Sequence, residues 1–205
     1  AYLDRDLQVI GGKPRFTGFQ PADDRTSDLI SEKGPIAPGK PLLFVMDELA
    51  LRRQDNWPGE IGHFNISGSM ILVSQAVRDR ISALKPDGLS LTPAVLEDMN
   101  GNFIEPLFHL KFNVRRDVWD RERSEYLIPF DPDRDRSANL VRIFLDDDAM
   151  ADLSPDARPL LKLDKVSPPA ILFRTDLVQS LQADGVTTGA VFYPLAEWFD
   201  GIQFQ

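Results

Sequence analysis

The chain carries few side chains able to do chemistry alone. It has two histidines, His63 and His109, and no cysteine. Without cysteine there is no disulfide, no thiolate nucleophile and no sulfur metal site. Two histidines cannot build a three-histidine zinc centre, and neither has a directing neighbour in sequence, so both read as structural or surface residues. Asp131, Asp133 and Asp135 alternate as the first oxygen ligands of a calcium loop do. The match then fails, because the glycine and the bidentate glutamate that such a loop needs are replaced by Arg136 and Arg142. Asp146, Asp147 and Asp148 form a second acidic run, suited to receiving a cation or an arginine, although such a run more often marks a strand's exit into solvent. Asp47 and Glu48 are paired carboxylates, but adjacent residues on a strand point to opposite faces. The nucleophile elbow, phosphate loop, zinc helix and dinucleotide fingerprint are all missing. The expectation is no metal, no cofactor and no catalytic residue. A carboxylate-based hydrolase stays open as the alternative, since paired acids leave no short motif.

The elements that position these groups are marked by apolar periodicity. Residues 11–41 are rich in Gly, Pro and Asp and read as loop, with a helical turn near Ser27 to Glu32. Pro41 to Asp47 reads as a buried strand. The stretch from Glu48 to Ser69 reads as loop with strand fragments, punctuated by Asn56-Trp57-Pro58-Gly59. Asn100-Gly101 marks a hairpin turn leading into a strand over Leu107 to Val114. Further strands are expected over Leu140 to Leu145 and around Leu160 to Leu163.

One phrase occurs twice. Ile71 to Leu96 and Ile171 to Leu195 each run from a short apolar strand through an amphipathic helix to a glycine and a second strand. In the first copy Ser74 is the expected cap, Val77, Ile81 and Leu84 form one helical face, and Pro86-Asp87-Gly88 ends the helix. In the second, Thr175 is the expected cap, Leu177 and Leu181 form the face, and Gly185 is the stop. The copies are offset by 171 − 71 = 100 residues. A strand–helix–strand unit cannot bury its helix face and both strands alone, so two of them predict similar sub-structures sharing a core. The expected class is α+β, with a mixed or mostly antiparallel sheet and short helices. The expected organisation is a loop-rich segment over residues 1–40 and a domain over 41–205, in pseudo-repeated halves of about 41–130 and 131–205.

Bulk composition narrows the partners. With 23 basic and 32 acidic residues the formal charge is −9, which disfavours a phosphate backbone as ligand. No apolar run approaches the ~20 residues of a membrane span, and no basic start precedes an apolar stretch, so a cytoplasmic protein is expected.

Ile171-Leu-Phe-Arg-Thr-Asp-Leu-Val, Gly185-Val186 and Gly189-Ala-Val-Phe-Tyr-Pro-Leu195 together resemble the C-terminal signature of the Imm11 (DUF1629) family of bacterial immunity proteins. Ile71 to Leu84 and Phe108 to Ser124 are similar to two earlier family segments, so the resemblance spans roughly Pro41 onward. It implies a cytosolic protein that binds and neutralises the cognate toxin of a polymorphic or contact-dependent secretion system, such as type VI. No catalytic residue carries over. The implied partner is a protein toxin domain, basic where it meets this acidic chain, with no nucleic acid and no membrane. Candidate anchors are Trp57 and Trp119, each in a polar, turn-prone setting although a place in the core is the commoner one for a tryptophan, with Asp131, Asp133, Asp135, Asp146, Asp147 and Asp148 steering the encounter. An assembly or accessory subunit is the further alternative.

Overall fold

The computed structural model describes residues 1–5, 9–10, 13–14, 18–32, 34–46, 61–133, 136–167 and 169–199. In chain order its elements begin with β1 (Tyr2–Arg5), β2 (Val9–Ile10), β3 (Lys13–Pro14), β4 (Phe19–Pro21), α1 (Asp24–Ser31) and β5 (Leu42–Met46). Then come β6 (Phe64–Ser67), β7 (Met70–Ser74), α2 (Gln75–Ala83), β8 (Leu89–Glu97) and β9 (Phe103–Phe112). The remainder are β10 (Glu125–Ile128), β11 (Ala138–Arg142), α3 (Asp147–Asp152), β12 (Leu160–Lys162), β13 (Val166–Ser167), β14 (Ile171–Phe173), α4 (Thr175–Ala183) and β15 (Ala190–Tyr193). The fold is α+β, and most strand pairs are antiparallel. Among the described residues no helix is long and apolar enough to cross a membrane.

The repeated phrase is repeated in topology. β7 and β8 both run antiparallel to β9, which lies between them, so they are parallel to each other one strand apart, with α2 as the crossover. β14 and β15 flank β1 in the same way, with α4 as the crossover. The strand filling the gap comes after its unit in the first case and from the start of the chain in the second. The larger sheet has the order β4-β5-β8-β9-β7-β6 and the smaller β12-β14-β1-β15. A third sheet, β10-β11-β13, stands beside them.

The two units share one core, as their amphipathic helices require. Val77, Ile81, Leu177 and Leu181 are buried together with Ile71, Val73, Ile171 and Phe173, and Leu84 is half-buried against them. The rings of Phe64, Phe173 and Phe192 meet edge-on, with centroids 5.1 to 6.2 Å apart, the arrangement that aromatic quadrupoles favour.

The helix ends show where one copy has drifted from the other. Ser74 caps α2 by accepting from Val77 N. In the second copy Thr175 is the first helical residue instead of the cap. The cap position is Arg174, whose side chain makes no cap bond and pairs with Asp176. At the far end of α4, Gly185 at φ +69° lets the Gly185 and Val186 amides bond back to Gln182 and Leu181, closing the last turn. In α2 the matching position is Lys85, held at φ +47°, and the next residue is Pro86, which has no N–H to give. Lys85→Gly is therefore expected to raise stability by about 1 kcal/mol, because a side chain in this left-handed conformation is strained. Chemical denaturation checks it; an unchanged or lowered midpoint at constant slope would count against the strain.

Other boundaries moved for local reasons. The helical turn expected near Ser27 is a full helix over Asp24–Ser31, started by the Asp23 carboxylate accepting from Thr26 N at 2.7 Å. The hairpin at Asn100-Gly101 forms, but β9 begins at Phe103, since the Asp98 carboxylate gathers the Asn100 and Asn102 amides into a tight turn. The strand expected over Leu140 to Leu145 is Ala138–Arg142; Leu145 instead bridges to Trp119. Residues 1–40, read as loop-rich, include β1 at the middle of the smaller sheet and β4 at the edge of the larger.

Candidate functional site

Strand alternation gives β9 two different faces. Leu110 joins the core beneath α2 and α4, with Phe108 and Phe112 packed against it. Leu107, His109 and Lys111 point the other way; Leu107 joins the separate core of Phe19, Leu42, Phe44 and Leu72. Where that second core ends, a cleft of about 920 Å³ opens. Its walls are the end of α1 and the residues after it, the β6–β7 turn over Ser67 to Met70, the last residues of β9, Lys162 at the end of β12 and Asp164 just after it.

The cleft holds three buried polar side chains: His109, Lys111 and Lys162, at 4%, 8% and 8% exposure. The Lys111 ammonium donates to the carbonyls of Leu29 and Glu32 at 2.9 and 2.8 Å, satisfying orphan acceptors at the α1 C-terminus, where helix polarity favours a cation. Burial lowers its pKa. Lys162 has no hydrogen-bond or ion-pair partner among the described residues. Burial lowers its pKa first, and the Arg115 guanidinium second. His109 is pushed down to about 4, chiefly by burial and then by Lys111 and Lys162. Its ring leans on Phe44 with centroids 5.7 Å apart, and its Nδ1 is buried with no partner. Glu32, exposed, and Asp164, half-buried, also line the cleft. The buried groups that converge here are basic, where a carboxylate hydrolase needs paired acids.

The second histidine takes part in packing. His63 Nδ1 lies 2.7 Å from Ser74 Oγ, the hydroxyl that caps α2. No carboxylate bonds to the ring among the described residues, so the pair lacks the orienting acid of a catalytic triad. Among the described residues no three histidine or carboxylate side chains cluster as a metal site.

The residues expected to meet a partner are scattered. Trp119 is buried in the core with Leu140, Ile143 and Leu163, and its Nε1 donates to the Asp164 carbonyl at 3.1 Å. Its ring offers no free anchor: the Arg121 guanidinium covers it at 4.8 Å. Asp131 shapes its own turn by accepting from Asp133 N at 3.1 Å. The Asp146 carboxylate caps α3, accepting from Ala149 N at 3.0 Å, while Asp147 and Asp148 stand exposed in the first turn. Trp57 and Asp135 lie outside the described residues. No family model matches the chain, and no curated protein matches it. Its class is set by the fold: an α+β protein with two interlocked strand–helix–strand units and a basic cleft.

Sequence reasoning missed Lys111, Arg115 and Lys162. The signal was present in part: LFHLKF and LLKL place a lysine inside an apolar strand, where a charge is costly unless something receives it.

Proposed function

We propose that the chain is a cytoplasmic binding protein that neutralises a cognate bacterial toxin domain without turning over a substrate. The observation that carries this reading is β10. It is the edge strand of the third sheet, yet all four of its residues are exposed, and Tyr126, Leu127 and Ile128 are apolar. Register breaks on both sides of Tyr126 leave Leu127 without a counterpart on β11 and 70% exposed. Edge strands are usually blunted with charge or proline, and bulges re-aim side chains outward, so an apolar residue presented this way suits a partner. Asp131 and Asp133 follow directly, and the chain is net acidic, which fits a basic partner surface. The Imm11-like signature supplies the toxin as partner.

The direct test is co-expression with the product of any toxin-like gene that neighbours its own. Cells carrying both should survive and yield a complex. Leu127→Lys should weaken that complex about 10- to 100-fold, the worth of one buried leucine. Stability should stay within about 0.5 kcal/mol, as at most surface sites. Equal killing with and without this protein, or a Leu127→Lys complex as tight as the native one, would end the reading. A steering test belongs to Asp147 and Asp148 alone, because replacing Asp146 would also remove a helix cap.

A further inference from the structure

We propose that the cleft between α1, the β6–β7 turn and the ends of β9 and β12 binds a small molecule through a phosphate or carboxylate group, with Lys162, Arg115 and His109 as its receptors. The argument begins with what the cleft lacks. Lys162 is buried, its ammonium makes no bond among the described residues, and the charge that acts on it is another cation, Arg115. A buried lysine is ordinarily paired or bonded, so an unpaired one needs an account. Asp164 and Glu32 line the same cleft, yet neither carboxylate bonds to Lys162. Among the described residues the lysine is thus not the buried half of an internal ion pair.

His109 repeats the pattern independently. Its Nδ1 is buried without a partner in a ring that packs on Phe44. Neutral imidazole can donate one N–H, and an oxyanion would accept it. Lys111 is already committed to two helix carbonyls and holds that wall in place. Arg115 is exposed at the mouth with no bond of its own among the described residues, and a guanidinium suits a planar carboxylate or a phosphate. The Ser67 and Ser69 hydroxyls flank Gly68 in the same lining and can donate to the body of a ligand. About 920 Å³ is the room of a small-molecule site. That such a basic focus survives in a chain of net charge −9 is hard to ascribe to background composition.

The site shares no residue with the β10 edge, so either reading can fail while the other stands. The experiment titrates the full chain with inorganic phosphate and pyrophosphate, and separately with acetate and citrate, replacing chloride at constant ionic strength. His109 ring nitrogen shifts and the melting temperature are followed together. A saturable shift of the His109 signals is expected in one series; the phosphate series assigns a phosphoryl ligand and the carboxylate series a carboxylate. Lys162→Met should weaken the response at least about tenfold, as loss of a charge-assisted bond does. The same variant should melt higher than the native chain without anion, because the unpaired charge is gone. A merely structural lysine would give the opposite. Lys40→Gln, exposed and outside the lining, should change nothing. If Lys162→Met does not fold, Arg115→Gln carries the test with a weakening of about three- to tenfold. The proposal is overturned if no series gives a saturable shift, or if the folded cleft variant responds as the native chain does.

Discussion

Replacing Gly189 by alanine is expected to cost at least ~3 kcal/mol, a large share of the ~5–15 kcal/mol that holds a domain folded. Gly189 sits at φ +88°, and a Cβ there would land on the Phe64 carbonyl oxygen. The opposing Gly62 is tight too: its Cβ would lie 2.5 Å from the Thr188 oxygen. Between them the Phe64 amide donates to the Thr188 carbonyl at 2.9 Å, and the His63 amide to the Thr188 hydroxyl at 3.0 Å. This is where β6 of the larger sheet meets the entry to β15 of the smaller. A methyl group forces the backbones apart where the two units are joined. Gly185→Ala is the control, since Gly185 also has positive φ but nothing within 4 Å of its added Cβ. That variant should lose only the ~1–2 kcal/mol of the strained conformation. Equal losses in denaturant for the two variants would show that the close approach contributes nothing.

That junction also shows what the sequence could and could not reveal. Val77 and Ile81 in one copy, Leu177 and Leu181 in the other, were legible because helical spacing is a local property. The hairpin at Asn100-Gly101 was legible for the same reason. The place of β1 between β14 and β15 was not, because it joins Tyr2 to Leu172 and Tyr193, and no local pattern encodes such a pairing. Trp119 looked available because charged residues surround it in sequence. In space the ring is buried, and Arg121, one of those neighbours, lies on it. The cleft was the least legible feature. Its members come from α1, a turn, two strands and a loop, so their convergence exists only after folding.

Between pH 6.5 and about 4, His109 is expected to make the native protein lose about 3 kcal/mol relative to a His109→Gln variant. The sign follows from the direction of the shift. Unfolded, the imidazole takes up its proton near 6.5; folded, it does so only at about 4. In between, the unfolded chain binds the extra proton, so stability rises with pH across the window. Below about 4 both states are protonated and the penalty is complete. Burial is the main cause, and the facing charges act with it. Lys111 shares the strand face, Lys162 approaches from β12, and Arg115 stands at the mouth, while Glu32 and Asp164 line the cleft without bonding to the ring. Carboxylates titrate in the same range, but they do so in both proteins, and the difference between the two unfolding curves removes them. A flat difference from pH 7 to 4 would mean that the ring is hydrated or paired. A bound oxyanion should narrow the window and reduce the loss. It favours imidazolium over imidazole, so saturating phosphate or carboxylate raises the His109 midpoint above 4 while the unfolded value near 6.5 is unchanged; the window closes from its acid side and the loss of stability shrinks. A window that stays where it is in saturating anion would place the anion away from the ring.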